Sequence, residues 1–157
     1  MLFHLSIAAQ NPRHVASFIA ELWGGEALPF PPISDDGWIA LAGDDRGTAI
    51  EVYPADIVLR ETEGDADAHG ESAPSSGYTP THAAIATALN RAEVLAMAAK
   101  EGWPAKYRRR GGVFGVIEMW IEGRQMIEVL TPEMQAEYLG GLTIANWKQM
   151  LAAGPAA

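Results

Sequence analysis

Two histidines and two glutamates recur at matched spacings along the sequence. His4 and Glu51 lie 47 residues apart, and His82 and Glu128 lie 46 residues apart. The second pair follows the first by 78 residues for the histidine and by 77 for the glutamate. Imidazole and carboxylate groups together suit a divalent metal such as Zn, Ni, Co, Mn or Fe(II). We therefore interpret each pair as half of a metal site, supplied twice by one repeated unit.

The glutamates lie on predicted strands whose opposite face is aliphatic. Side chains alternate between the two faces of a strand. Glu51 stands between Ile50 and Val52, and the same pattern recurs as Ile127-Glu128-Val129. The ligand faces carry mostly small neighbours, namely Ser6, Ala8, Ala49, Ala84 and Ala86. Small side chains leave open space above a sheet, which a binding cleft requires.

A surface location is the simpler explanation for any one of these four residues, since glutamate is usually exposed. Four ionisable groups on one sheet face can pair with each other, face water or bind a metal, and they are costly to leave dry and unpaired. Their matched register, with one on each strand, favours the metal. Four protein ligands also leave one or two coordination positions for water or substrate.

The predicted secondary structure repeats with the same period. The first unit is predicted to contain the strand Leu2–Ala8, a helix capped by Asn11 with Pro12 in its first turn and ended at Gly24-Gly25, and strands near Leu28–Phe30, Trp38–Ala42 and Thr48–Tyr53. The second unit is predicted to contain the strand Thr81–Thr87, a helix capped by Asn90 and ended at Gly102, and the strands Ala105–Arg109, Val113–Ile121 and Gln125–Leu130. The sequence therefore predicts a tandem βαβββ duplication.

The predicted organisation is one domain of 157 residues built from two modules. The modules cover residues 1–55 and 79–132, and a C-terminal helical segment covers residues 132–153. Between the modules, residues 56–78 are rich in acidic residues, Gly, Ser, Ala and Pro, which is typical of an exposed linker.

The composition excludes several functions. A net charge of −9, with 11 basic residues that form no long stripe, argues against nucleic acid or an anionic membrane as a partner. The absence of cysteine excludes disulfides, thiolate zinc sites and cysteine nucleophiles. No apolar run reaches membrane-spanning length and no signal-peptide pattern opens the sequence, so we expect a cytoplasmic protein.

The residues over about 2–132 resemble the vicinal oxygen chelate superfamily, which includes glyoxalase I, methylmalonyl-CoA epimerase, extradiol dioxygenases, and fosfomycin- and bleomycin-resistance proteins. The resemblance rests on tandem βαβββ units with His, Glu, His and Glu on the first, fourth, fifth and eighth strands. Asp44-Asp-Arg-Gly-Thr-Ala-Ile-Glu51 is also similar to a hairpin of that family, although it lacks the family's Pro. The resemblance implies an α+β fold whose curved mixed sheets form a metal-binding cleft.

This ligand set looks most like that of glyoxalase I. The resemblance implies that His4, Glu51, His82 and Glu128 hold a divalent Ni, Zn, Co or Mn ion, and that Glu51 or Glu128 is the catalytic base. The implied activity is that of a lyase or isomerase that transfers a proton α to a carbonyl of a small chelating substrate. The family also implies a homodimer, and its clefts are made either by one chain or by two.

Two other functions fit the same fold. A non-catalytic, drug-sequestering protein would bind a small molecule in a metal-free cleft lined by Tyr53, Trp120 and Met126. An Fe(II) dioxygenase is disfavoured, because a fourth protein ligand at Glu51 takes a position that oxygen chemistry requires.

Two further features remain open at the level of sequence. Lys106, Arg108, Arg109 and Arg110 either hold a carboxylate or phosphate tail or form a charged, solvated edge strand. Glu118 lies near Glu128, or else a two-residue turn at Gly123-Arg124 turns it to the other face. Glu118 is not included in the candidate site.

Overall fold

The chain follows one βαβββ order twice, in a computed structural model that describes residues 4–60, 68–74 and 81–153. The first unit contains β1 (His4–Ala9), α1 (Pro12–Trp23), β2 (Glu26–Pro29), β3 (Trp38–Leu41) and β4 (Ala49–Pro54). A hairpin of β5 (Ile57–Arg60) and β6 (His69–Ser72) follows. The second unit contains β7 (Ala83–Ala86), α2 (Arg91–Glu101), β8 (Ala105–Arg110), β9 (Phe114–Ile121) and β10 (Gln125–Leu130). The helices α3 (Pro132–Gly141) and α4 (Ile144–Ala153) end the described chain.

Each unit forms a four-stranded mixed sheet with the same topology. The strand orders are β1-β4-β3-β2 and β7-β10-β9-β8. In each sheet the first and last strands of the unit pair in parallel, and the other neighbours are antiparallel. The predicted α+β fold of tandem βαβββ modules is therefore confirmed.

The two module helices begin and end at the residues that the sequence marks. The Asn11 side chain accepts a hydrogen bond from the His14 backbone N–H, and Asn90 forms a reciprocal capping box with Glu93. Gly24 and Gly102, with φ of 67° and 71°, end the helices in the left-handed conformation that glycine adopts without strain. No helix within the described ranges has the length and apolarity to span a membrane.

One hydrophobic core receives side chains from both units. The first sheet contributes the face of Ile7, Ile50 and Val52, and the second contributes the face of Ile85, Ile127 and Val129. Helices α1 and α2 add further buried side chains, including Val15, Ile19, Leu22 and Val94. Because the aliphatic faces of both sheets contribute to this core, the opposite faces of both sheets point away from it.

The region predicted as a linker contains strands. Ile57–Arg60 pairs antiparallel with His69–Ser72, and Arg60 Nε lies 2.9 Å from Glu71 Oε2 across this hairpin. The short apolar run Ile57-Val58-Leu59 was a strand signal that the acidic, small-residue composition around it obscured. Residues 61–67 and 75–78 of the predicted linker lie outside the described residues. So do residues 79–80 of the second predicted module and Leu2 and Phe3 of the first predicted strand.

Candidate metal centre

The two candidate pairs sit in the same strand register. Glu51 is aligned with Ser6, two residues after His4, on the parallel strands β4 and β1. Glu128 is aligned with Ala84, two residues after His82, on β10 and β7. The strand pairing is therefore equivalent in both units, although the two His–Glu spacings differ by one residue.

Glu51 is held through one oxygen and faces His4 with the other. The hydroxyls of Ser6 and Tyr53 donate hydrogen bonds of 2.7 and 2.9 Å to Glu51 Oε2. Glu51 Oε1 lies 3.8 Å from His4 Nε2, and the side chains of His4 and Glu51 are 59% and 14% exposed. The pair thus consists of an accessible imidazole next to a nearly buried, oriented carboxylate.

The hydroxyl of Tyr53 is a permanent donor to this carboxylate. Burial raises the pKa of Tyr53 well above its usual range, and the hydrogen bond and negative charge of Glu51 raise it further. The phenol therefore stays protonated at physiological pH. The Phe30 ring lies beside the Tyr53 ring, tilted by 47° with 6.4 Å between the ring centroids.

His4 and Glu51 lie close enough to share one metal ion. Imidazole nitrogens and carboxylate oxygens bind Zn²⁺ at about 2.0–2.2 Å, so two such ligand atoms on one ion lie at most about 4.2 Å apart. The 3.8 Å between His4 Nε2 and Glu51 Oε1 is within that limit. The first unit therefore places an imidazole and a carboxylate close enough together to bind the same ion.

Glu128 has a charged partner. Arg110 donates through Nε and Nη2 to Glu128 Oε1, at 2.9 and 2.5 Å, and through Nη2 to Glu118 Oε2 at 3.0 Å. The Trp120 indole N–H donates to Glu118 Oε1 at 3.1 Å. Among the described residues, none hydrogen-bonds the second oxygen of Glu128. Glu128 thus resembles Glu51 in being held through one oxygen.

Glu118 belongs to this cluster because of the turn between β9 and β10. The connection has three residues, Glu122–Arg124, and it pairs Glu118 directly with Glu128. The predicted two-residue turn at Gly123-Arg124 is wrong, and Glu118 lies on the same sheet face as Glu128. The alternation of buried Ile117, Met119 and Ile121 was the signal that puts Glu118 on the opposite face.

The charges in this cluster are mutually stabilised. The hydrogen bond from Trp120 holds the pKa of Glu118 below its usual range, with the Arg110 hydrogen bond and charge adding to it against the opposing effect of burial. The hydrogen bond to Glu128 raises the pKa of Arg110. The Arg110 guanidinium thus lies between the carboxylates of Glu118 and Glu128.

The predicted ligands do not gather into one site within the chain. Among residues 4–60, 68–74 and 81–153, no three His, Asp or Glu side chains come close enough to hold one ion. His4 lies next to Glu51, and Glu128 is paired with Arg110 and lies opposite Glu118. His82 is exposed immediately before β7. The two candidate half-sites are thus separate among the described residues, on sheet faces that point away from a common core.

Solved structures share the architecture that holds these half-sites. FosX from Listeria monocytogenes, a fosfomycin resistance protein complexed with Mn(II) and sulfate, is 14% identical over 89% of this chain and 96% of its own, with a TM-score of 0.56. The trypanothione-dependent glyoxalase I of Leishmania major is 17% identical over 95% and 96% of the two chains, with a TM-score of 0.51. Lactoylglutathione lyase from Agrobacterium tumefaciens is 13% identical over 82% and 91%, with a TM-score of 0.53.

The chain has the same fold as these glyoxalase and fosfomycin-resistance proteins. No protein-family model and no curated protein matches the sequence, so the likeness is one of structure. At these identities it establishes the fold alone, and the chemistry has to be argued from the side chains of this chain.

The basic cluster is divided between the two faces of the second sheet. Lys106, Arg108 and Arg110 alternate along β8 on the face of Glu118 and Glu128, with Lys106 aligned to Glu118. Arg109 is on the other face, where its guanidinium binds Glu137 at 3.1 Å and the carbonyls of Gly112 and Val113.

A cavity adjoins Glu128. It has a volume of about 590 Å³ and is lined by Arg110, Val113, Phe114, Glu128, Tyr138 and Leu142, with Gly111, Gly141 and Asn146 completing the wall. The Phe114 and Tyr138 rings meet edge to face at 4.9 Å, so α3 closes one side. The second unit therefore combines the Glu128 carboxylate with a largely apolar pocket.

Proposed function

We propose that this protein is a divalent-metal-dependent enzyme that transfers a proton α to a carbonyl of a small chelating substrate, as a glyoxalase I-like lyase or isomerase. The observation that carries the proposal is the 3.8 Å distance from His4 Nε2 to Glu51 Oε1. This is the carboxylate oxygen that does not accept the hydrogen bonds of Ser6 and Tyr53. Solved proteins of the same fold include a lactoylglutathione lyase and a protein complexed with Mn(II). The ion is Ni, Zn, Co or Mn, the metals that imidazole and carboxylate suit.

The complete centre is shared between two copies of the chain. Each copy contributes His4 and Glu51 to one site and His82 and Glu128 to the other. This arrangement is supported by the shared core, which directs the two half-sites of one chain away from each other, and by their separation among the described residues. A homodimer with two equivalent sites follows, as two-fold symmetry requires.

The side chains of this chain then have distinct tasks in the reaction. A bound ion supplies electrophilic polarisation of the substrate carbonyl. Glu51 or Glu128 accepts the proton from the carbon next to that carbonyl. Ser6 and Tyr53 keep Glu51 oriented through its other oxygen, and Arg110 does the same for Glu128. The apolar cavity beside Glu128 receives the substituent of the substrate and excludes water from it.

Complementation between two inactive variants tests the proposal. One chain carries His4→Ala and Glu51→Gln, and the other carries His82→Ala and Glu128→Gln. Each variant alone should lose tight Mn²⁺ or Co²⁺ binding, and a co-expressed heterodimer with two different affinity tags should bind one ion. Isomerase activity toward hemithioacetals of methylglyoxal or phenylglyoxal would be measured on the same samples.

Two results would contradict parts of the proposal. Wild-type protein that takes up none of the four metals contradicts the metal-dependent function. A heterodimer that binds no ion, beside a wild type that does, contradicts the shared centre, because a centre made within one chain cannot be restored by mixing.

A non-catalytic binding protein is the second candidate, and the 590 Å³ cavity favours it. Val113, Phe114, Tyr138 and Leu142 offer an apolar surface that can hold a drug-sized molecule without an ion. Equilibrium binding of apolar fluorescent ligands to chelator-treated protein separates the candidates. Tight binding with no metal uptake supports this second function.

A further inference from the structure

The two candidate glutamates are held by different kinds of donor. Glu51 accepts from the neutral hydroxyls of Ser6 and Tyr53, whereas Glu128 accepts from the Arg110 guanidinium. A guanidinium on one carboxylate cancels its formal charge, and a second cation is then repelled at close range. A glutamate paired with arginine alone is therefore a poor ligand for a divalent ion.

Glu118 adds a second negative charge next to the Arg110 guanidinium. Its Oε2 accepts from Arg110 Nη2 at 3.0 Å, so the guanidinium is shared between two carboxylates and the group keeps a net formal charge of −1. The side chains of Arg110, Glu118 and Glu128 are 37%, 21% and 12% exposed, so solvent screens these charges only in part.

The backbone fixes this arrangement. Glu118 is the direct cross-strand partner of Glu128. Arg110, at the end of β8, hydrogen-bonds Glu118 on the neighbouring strand β9 and Glu128 on the next strand β10. Trp120 occupies the other oxygen of Glu118. Two like charges placed directly opposite each other destabilise a sheet unless a counter-ion lies between them. Arg110 supplies that counter-ion and touches only one oxygen of Glu128.

We propose that Arg110 and Glu118 form a charge-balanced support for Glu128, in which Arg110 fixes one oxygen and Glu118 offsets the charge of Arg110, so that the second oxygen can bind a cation. Both are positioning residues, because they act through Glu128. The proposal rests on the proposed function, since it takes Glu128 as a ligand. It extends that function by making Glu118, which has no counterpart beside Glu51, necessary for the affinity of the centre.

Metal affinity of the full-length protein provides the test. Isothermal titration with Mn²⁺ and Co²⁺ is made on chelator-treated wild type, on Glu118→Gln and on Arg110→Met/Glu118→Gln. Glu118→Gln should weaken binding by about 10–100-fold, the usual effect of removing a partner of a metal ligand. The double variant restores the net charge of −1 and should recover part of the lost affinity; the rest is lost with the Arg110 hydrogen bonds to Glu128. The absorption spectrum of the Co²⁺ form reports a change in ligand geometry independently of turnover.

The Arg109–Glu137 pair is the matched control. It joins the same residue types at 3.1 Å, with its arginine one residue before Arg110 on β8 and on the face away from Glu128. Arg109→Met/Glu137→Gln should leave the Mn²⁺ affinity unchanged. Thermal unfolding of the metal-free variants shows whether each is folded. If Glu118→Gln is not, Trp120→Phe, which keeps the charge but releases Glu118, should still weaken binding by a few-fold.

The outcomes separate the two proposals. A folded Glu118→Gln variant with wild-type affinity overturns the support and leaves the metal-dependent function standing. Loss of affinity without recovery in the double variant also overturns it, because Glu118 would then act other than by offsetting the charge of Arg110. A wild type that binds neither ion overturns both.

Discussion

The hydroxyl of Tyr53 donates a 2.9 Å hydrogen bond to Glu51 Oε2, the oxygen opposite the one that faces His4. Tyr53 lies two residues after Glu51 on the same strand face, and its side chain is almost fully buried. Strand alternation alone therefore brings a candidate ligand and a donor that orients it into contact.

Removing the Tyr53 hydroxyl should leave the Glu51 carboxylate less firmly oriented. Tyr53→Phe keeps the buried ring and deletes one of two donors to the carboxylate. We expect a free energy of unfolding lower by about 0.5–1.5 kcal/mol and Mn²⁺ binding weaker by about 10-fold. Urea denaturation and calorimetric titration measure the two effects. Tyr138→Phe is the control, since the Tyr138 hydroxyl has no hydrogen bond to a described residue; equal losses in both variants would contradict the role of Tyr53.

The pKa of Glu118 predicts how stability depends on pH. The pKa is lowered on folding, so the stabilising contribution is fully present above the unfolded-state value of about 4.3 and is lost as pH falls through the lower folded value. The wild type should therefore be more stable than Glu118→Gln near pH 6, and the difference should shrink toward pH 3. Urea unfolding at a series of pH values measures it. A difference that is constant over this range would exclude the linkage.

Glu122 connects the two units at the start of α1. Its carboxylate accepts hydrogen bonds from the backbone N–H groups of Gln10 and Asn11, the latter at 2.8 Å. A carboxylate at this position also interacts favourably with the helix dipole. Glu122→Ala should lower the free energy of unfolding by about 1–2 kcal/mol. Glu21→Ala, at an exposed position near the end of α1, is the control and should stay within about 0.5 kcal/mol of the wild type.

The shared core predicts that both units unfold together. Ile127 is fully buried between the sheets and helices, and Ile127→Ala should cost about 2–5 kcal/mol. Calorimetry should still record one transition, at a lower temperature, because the other unit loses the same core. Leu139→Ala, at a side chain that is 75% exposed, should leave the transition unchanged. Two separate transitions in Ile127→Ala would show that the units are independent.

Local signals made the tandem fold predictable. The helix caps at Asn11 and Asn90 and the aliphatic segments around Glu51 and Glu128 each depend on a few adjacent residues, and each occurs twice. Strand alternation alone also places Ile50 and Val52 in the core and Glu51 outside it. The boundaries of β2 and β7 are less accurate, since both strands are short and flanked by Pro or small polar residues.

The arrangement around Glu128 depends on information that is not local. Whether Glu118 faces Glu128 is decided by one residue in the length of the turn after Ile121, and the positive φ of 50° at Glu122 is not a conformation that its residue type predicts. Arg110 reaches Glu128 across an intervening strand, which no sequence spacing indicates. The separation of the half-sites likewise follows from how two sheets share one core.

Because the two units share one core, inward-facing and outward-facing side chains have different roles. Inward-facing residues such as Val52 and Ile127 cannot change without weakening the whole molecule. Outward-facing residues such as Ser6 hydrogen-bond a candidate ligand and can be replaced at a smaller cost in folding free energy. The scaffold thereby separates the positions that natural selection can retune for a new substrate from those that it must preserve.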